Sequence, residues 1–362
     1  AVCGNFGDWI ISGMDRNGLR PLRYILTNDG LLISGSEVGM INVEEKNILK
    51  KGRVGPGELI AINYQEKKFY QSDELKKLLS QRQNYSEWNK KTIDLDSILA
   101  DKQISHPNKA IDQKFYQLAK SFNLSFETLD LILDPMVKTG QEATGSMGDD
   151  TPLSVLTERY RGLHSFFKQN FSQVTNPPID SLREQVVMSL KTRLGNLGNI
   201  AEEDSEQCNL VLLQSPVLLD HELETLKEHL GQLTTEIDCT YDKNEETNFL
   251  NEIQRICSEA EQAVRSGSQH LIISDKNVNK DRISLPMILA TSAVHSYLIK
   301  NNLRTFTSLN VSSLECLDVH YFAVLIGVGA TTVNAALIEK IVCDRLNKNI
   351  YQNIEYQTLL TN

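Results

Sequence analysis

The six cysteines, Cys3, Cys208, Cys239, Cys257, Cys316 and Cys343, lie so far apart that no close pair of the zinc or iron–sulfur kind occurs. Six in 362 residues are also too few for a disulfide scaffold, and they read as buried thiols of a reducing cytoplasm. Basic residues are outnumbered, 37 against 47, for a net charge of -10. That acidity argues against capture of nucleic acid or of an anionic membrane, both of which need a basic face. No apolar run approaches the ~18 residues of a membrane span. Internal repeats and low-complexity segments are missing too. What is present is ordinary globular material. Hydrophobic residues at 40% plus 20 glycines bring the apolar share to about 45%, inside the usual range and enough for a large core. At about 150 residues per domain, the length corresponds to roughly two to three domains.

Three stretches follow one another. Residues 1–70 are β-rich, with a DRNG turn at Asp15–Gly18, a hairpin signal at Asn28-Asp29-Gly30 and a Gly/Pro turn at Gly52–Gly57. Residues 71–108 crowd lysine, asparagine, glutamine and serine and read as a solvated helix or linker. Residues 109–362 turn helical and then alternate. SFETLDLILDPM is a helix with Ser125 as N-cap, and NFLNEIQRICSEAEQAVRSG is a helix closed by Gly267. HLIIS, TFTSLNVS and ATTVN are strands separated by helices, which implies crossover connections and a parallel sheet. The opening at Ala1 begins inside strand material, and the end at Asn362 carries neither helix cap nor charged tail. The expectation is a segment of a longer polypeptide.

Two motifs stand out. In Asp15-Arg16-Asn17-Gly18-Leu19-Arg20-Pro21, Gly18 permits a positive φ and Pro21 fixes the exit, the pattern of a rigid turn. Arg16 and Arg20 are unusual in a plain turn and could pin a carboxylate or a neighbouring loop. The densest signal is TGQEATGSMGDDTPL, from Thr139 to Leu153, with Gly140, Glu142, Asp149 and Asp150. Such a run must satisfy its backbone through side chains, as a structured interface loop, a ligand or metal loop, or a mobile linker would. Asp149 and Asp150 could hold a hard cation, but further oxygen ligands do not follow at EF-hand spacing. Other patterns are weaker. Cys3 reads as a buried strand thiol. HELET at His221–Thr225 lacks the second metalloprotease histidine and reads as a solvated helix. GVGATT at Gly327–Thr332 follows a helix and precedes a strand, the reverse of a dinucleotide loop.

At these residues a family resemblance enters. DRNGLRPLRYILTNDGLLISGSEVG with KGRVGPGELIAI resembles the last part of the class II glutamine amidotransferase domain of glutamate synthase, large subunit. LDLILDPMVKTGQEATGSMGDDTPLSVL, FFKQNFSQVTNPPIDSLREQVVMSL, ISDKNVNKDRISLPMILATSAVHSYLI and CLDVHYFAVLIGVGATTVNA are similar to the central domain of that enzyme. The resemblance implies the fold: the β-rich remnant of an αββα sandwich in 1–70, a linker in 71–108, and in 109–362 a central α/β domain like part of a barrel. It implies an enzyme that hydrolyses glutamine and passes ammonia internally to 2-oxoglutarate at a reduced FMN, giving two glutamates. It also implies that the catalytic cysteine lies upstream, and that the FMN barrel and 3Fe-4S cysteines lie downstream. No catalytic, cofactor or metal residue is therefore expected here, and a structural role is expected for Asp15, Arg16, Asn17, Gly18, Arg20, Thr139, Gly140, Glu142, Asp149 and Asp150. The implied partners are the missing amidotransferase and FMN domains, with a small NADPH-oxidising subunit or ferredoxin as electron source.

Overall fold

A computed structural model describes residues 1–37, 39–100, 113–142, 162–168, 170, 172, 174, 179–243, 249–352 and 354–362. The chain divides into two compact units, Ala1–Glu87 and Trp88–Asn362.

The first unit has two antiparallel sheets. One has the order β1 (Val2–Phe6), β2 (Trp9–Gly13), β6 (Leu59–Asn63), β7 (Lys68–Tyr70); the other has β4 (Leu32–Gly35), β3 (Leu22–Thr27), β5 (Ile48–Val54). The expected hairpin at Asn28-Asp29-Gly30 joins β3 to β4, with Gly30 at φ +86. Leu22, Tyr24 and Val54 from one sheet and Ile60 from the other form a shared core. Helix α1 (Ser72–Ser80) packs Leu75 against Ala61 and Tyr70 of the first sheet. Gly52 has a packing reason: a Cβ there would come within 2.7 Å of the Tyr24 ring. The stretch 71–108, expected as a linker, thus carries α1 in this unit. The chain then passes through α2 (Tyr85–Asn89) to β8 (Ile93–Asp94) and α3 (Leu95–Leu99). One expectation is corrected here. Cys3 is exposed, because all five residues of the edge strand β1 face solvent.

The second unit is built on a five-stranded parallel sheet, β11 (Val217–Leu218), β17 (Thr332–Asn334), β16 (Ser308–Ser312), β14 (His270–Ser274), β12 (Thr234–Asp238). Its connections are α9 (Phe249–Arg265), α10 (Met287–Lys300) and α11 (Val319–Gly327), each advancing one strand the same way. These helices cover one face of the sheet. Leu271, Ile273, Leu309, Val311 and Val333 pack against all three helices in one core. On the opposite face Ile272 and Leu218 meet α8 (Asp220–Leu230) through Leu223 and Leu226. The same core includes Leu194 of β9 (Thr192–Gly195), Val211 and Leu213 of β10 (Leu210–Leu213), and Leu95 of α3. The HELET helix is therefore not solvated; its Leu223, Thr225 and Leu226 are buried. A short antiparallel pair, β13 (Thr240–Asp242) with β15 (Arg282–Ser284), sits beyond the ends of β12 and β14.

A helical subcore completes this unit: α4 (Gln113–Ser121), α5 (Phe126–Thr128), α6 (Asp134–Thr139), α12 (Ala336–Asn347) and α13 (Tyr356–Thr361). Ser125 caps α5 as expected, accepting the Thr128 amide at 3.1 Å. Between α5 and α6, residues Leu129–Leu133 form a π turn, and the Asp134 amide reaches back five residues to the Leu129 carbonyl. Pro135 explains it, because proline has no N–H to donate and its ring would crowd the Leu131 carbonyl in a regular helix. Helix α7 (Ser181–Val187) precedes β9.

Candidate functional site

In parallel α/β architectures, ligands and catalytic groups gather where strands end and helices begin. The sheet face opposite α9–α11 is unusually polar there. Asn310, Ser312, Thr332 and Asn334 are buried in adjacent rows. Thr332 Oγ1 donates to Asn310 Oδ1 at 2.7 Å, and Ser312 Oγ donates to Asn334 Oδ1 at 2.8 Å. Asn334 Nδ2 donates to the Leu218 carbonyl at 3.0 Å and to Asp220 Oδ1 at 2.9 Å. One row back, His270 Nδ1 is hydrogen-bonded to Ser308 Oγ at 2.8 Å. Burial holds that imidazole down to a pKa of about 4, so it is neutral at pH 7. The side chains satisfy one another across the strands.

Just past the strand ends stands a collar of carboxylates. Asp275 follows β14 and is fully buried, accepting the Leu314 amide at 2.8 Å and the Ser313 hydroxyl at 3.4 Å. Burial pushes its carboxyl up to about 8, against those two donors. Glu315 accepts the Met287 amide at the start of α10 at 2.9 Å and the Tyr321 hydroxyl at 2.5 Å. Burial raises its pKa as well. Asp318 caps α11 by accepting the Tyr321 amide at 2.7 Å. At the start of α8, Glu339 accepts the Asp220 amide at 2.8 Å. Asp238, ending β12, accepts from Thr240, Asn277 and Arg282, and these donors outweigh its partial burial to lower its pKa.

The motifs singled out in the sequence fall elsewhere. The Asp15–Pro21 turn belongs to the first unit. The Gly18 amide donates to both the carbonyl and the Oδ1 of Asp15, each at 3.2 Å, and the Gly57 amide donates to the same carbonyl at 3.0 Å. Gly18 has φ +60, and a Cβ there would lie 2.7 Å from Pro56. Arg16 and Asn17 are exposed. Arg20 reaches only the Ser36 hydroxyl, at 3.4 Å, without the forked carboxylate contact. In the second unit, Thr139 Oγ1 donates to the Pro135 carbonyl at 2.7 Å, and Gly140 ends α6 in the left-handed conformation at φ +66. Glu142 is exposed, and residues 143–153, with Asp149 and Asp150, lie outside the described residues.

One buried cluster was not foreseen. Arg345 on α12 donates to Asp134 Oδ2 at 2.5 Å and to Asp130 Oδ1 at 2.9 Å, while the Tyr351 hydroxyl donates to Asp134 Oδ1 at 2.8 Å. The two acids lie 211 to 217 positions from the residues that bind them, and the helical subcore brings the two pairs together. The available signal was the DP step of LDPM, an acid beside a helix-interior proline.

Comparison with known proteins fits this two-part structure. The family described as glutamate synthase central domain matches residues 117–361, two thirds of the chain. The chain belongs to the glutamate synthase central-domain family. The class-II glutamine amidotransferase family matches residues 2–88. Among relatives, the chain is 48% identical to the glutamate synthase [NADPH] large chain of Azospirillum brasilense, over 98% of this chain and 24% of that one. It is 36% identical to the glutamate synthase [NADH] of Saccharomyces cerevisiae over 94% of this chain and 16% of that one. Against the chloroplastic ferredoxin-dependent glutamate synthase of Spinacia oleracea, identity is 37% over 88% of this chain and 20% of the relative. The chain thus spans a quarter or less of the length of these relatives.

Glutamate synthases use FMN and an iron–sulfur cluster, and the central-domain geometry can be tested against both. A flavin phosphate needs free amides at a helix N-terminus. Here Glu315, Asp318 and Glu339 each accept one amide at the start of α10, α11 and α8 and set a carboxyl group where a phosphate would sit. The strand ends do not fit FMN. An iron–sulfur cluster needs grouped thiolates. Burial pushes the thiols of Cys239, Cys257, Cys316 and Cys343 up, which favours the protonated form. No group of three or more His, Cys, Asp or Glu side chains suited to a metal occurs among the described residues, so these residues do not fit a cluster either. No helix among the described residues is long and apolar enough to cross a membrane.

Proposed function

We propose that this chain is the segment of a glutamate synthase that joins the end of its glutamine amidotransferase domain to its central domain. The observation that carries the reading is the order of two family matches in one chain, 2–88 and then 117–361. The longer polypeptide hydrolyses glutamine, passes the ammonia internally and combines it with 2-oxoglutarate at a reduced FMN, yielding two L-glutamates. In that reaction the segment spaces the two sites and helps wall the path between them. Its own residues act as structure: the Asp15–Gly18 turn fixes an end of the amidotransferase sheets, and Thr139 with Gly140 sets the exit of α6. The remaining amidotransferase and FMN domains are its partners. Relatives named for NADPH, NADH and ferredoxin support an electron source of that kind, a small NADPH-oxidising subunit or ferredoxin. A cytoplasmic location is supported by a cysteine content too sparse for a disulfide scaffold.

The test is direct. The purified 362-residue chain, given glutamine, is expected to release no ammonia above a buffer blank and to retain no FMN after gel filtration. The longer polypeptide is expected to release ammonia from glutamine, to retain FMN and to form glutamate. Ammonia release or bound flavin in the short chain overturns the reading.

A further inference from the structure

A cleft of about 750 Å³ opens in the helical subcore, between α4, the start of α5, and α12 with the turn after it. That volume lies in the range of small-molecule sites, roughly 300–1,000 Å³. Phe115, Leu124, Leu129, Ile341 and Ile350 give it apolar walls, and Phe126, also in the lining, stands 83% exposed. Three cationic side chains, Lys120, Arg345 and Lys348, enter this lining against one carboxylate, Asp344. Lys348 Nζ donates to Asp344 Oδ2 at 2.7 Å and lies 4.5 Å from the centre of the Tyr116 ring, so these two charges cancel within the wall. Arg345 is matched through Nη2 by Asp130 and Asp134. Its Nε is different. It is buried in a side chain only 9% exposed and has no hydrogen-bond partner among the described residues. Lys120, in the last turn of α4, has neither an ion pair nor a side-chain hydrogen bond among the described residues. The cleft therefore holds one uncompensated positive charge and one idle donor on apolar walls.

We infer that this cleft is a binding site for a small amphipathic monoanion, an aromatic or aliphatic body carrying a single carboxylate or sulfonate head. The body displaces water from Phe115, Leu124 and Phe126, and an aromatic body stacks on the two rings. The head pairs with Lys120, the one charge left open. An acceptor that reaches Arg345 gains further, because a buried donor without a partner is costly. Charge count selects the monoanion. A cation would meet Lys120 unpaired, and a second negative charge would find only cations already held by Asp344, Asp130 and Asp134. The inference goes beyond the synthase reading and does not rest on it, since it uses only residues of the helical subcore.

The experiment titrates the 362-residue chain with anilinonaphthalene sulfonate, an aromatic monoanion whose fluorescence rises as it leaves water. Phenylnaphthylamine, the same aromatic body without the charge, is the companion dye. The sulfonate is expected to saturate at one molecule per chain. Lys120→Glu is expected to weaken the sulfonate at least tenfold and to leave the affinity of the neutral dye within twofold, whereas Phe126→Ala weakens both dyes. Both positions are exposed, so each variant should keep the wild-type melting temperature. If Lys120→Glu melts early, Lys120→Gln makes the same comparison, with at least a threefold loss expected for the sulfonate alone. Equal sulfonate affinity in wild type and variant overturns the inference, and so does an equal loss of both dyes or binding that does not saturate. In the longer polypeptide Lys120→Glu should remove one sulfonate site. No difference there assigns the cleft to a neighbouring domain and overturns the inference too.

Discussion

Asp275 makes a measurable demand on the second unit. Its carboxyl is fully buried, accepts one amide and one long hydroxyl contact, and pairs with no cation among the described residues. Burial raises its folded pKa to about 8, while an unfolded aspartate titrates near 3.9. Between those values the native state holds a proton that the unfolded chain releases. Stability is therefore lost as pH rises, by about 1.4 kcal/mol per unit until the folded pKa is reached. From pH 6 to pH 8 this is about 2 kcal/mol, or roughly 5 °C in melting temperature for a unit of this size. Asp275→Asn keeps the acceptor for the Leu314 amide and removes the proton. Calorimetric melting of both proteins from pH 5.5 to 8.5 should show the wild type falling relative to the variant by that amount. Parallel curves would mean that Asp275 titrates normally, and would refute the argument from burial.

Other perturbations read other parts of the fold. His270, held down to a pKa of about 4, costs stability as pH falls below the ordinary histidine value of about 6.5, by about 2 kcal/mol at pH 5; His270→Gln should flatten the denaturant midpoint over that acid range. Gly52→Ala drives a Cβ to 2.7 Å from the Tyr24 ring and should destabilise the first unit by about 1–3 kcal/mol, seen in urea melts followed by tyrosine fluorescence. Arg345→Met leaves Asp134 buried without its guanidinium and should cost about 3–5 kcal/mol, with part of the loss recovered by adding Asp134→Asn. Full stability of the single variant would remove the cluster from the list of stabilising contacts.

Much of this architecture is legible in local pattern. HLIIS, the LPMILATSAVHSYLIK helix and ATTVN each contain their own period, and the structure places β14, α10 and β17 over them. TFTSLNVS is right in type and early by three residues, since Arg304–Phe306 form a 3₁₀ turn before β16 begins at Ser308. What pattern cannot reach is pairing at a distance. β8, β9 and β10 are two to four residues long, and β8 pairs with β10 across more than 100 positions, as Val211 with Ile93, so each alone has too little period to identify. HELET hides its burial because only Leu223 and Leu226 face the sheet. The assumption that a strand cysteine is buried failed at Cys3 because β1 is an edge strand whose five residues are all exposed.

The same contrast explains why the richest chemistry in the sequence and in the fold do not coincide. A parallel α/β sheet commonly leaves amides free at the helix N-termini past its strand ends, and ligand anions take them. In this chain Glu315, Asp318 and Glu339 each take one such amide, Asp275 accepts the Leu314 amide, and Asn310, Ser312, Thr332 and Asn334 hydrogen-bond in pairs. Each of these contacts converts a potential binding group into a fixed one, and a site so filled gains rigidity at the place where a catalytic barrel must stay open. Under the proposed synthase reading, such rigidity suits a segment that spaces two reaction centres in a longer polypeptide.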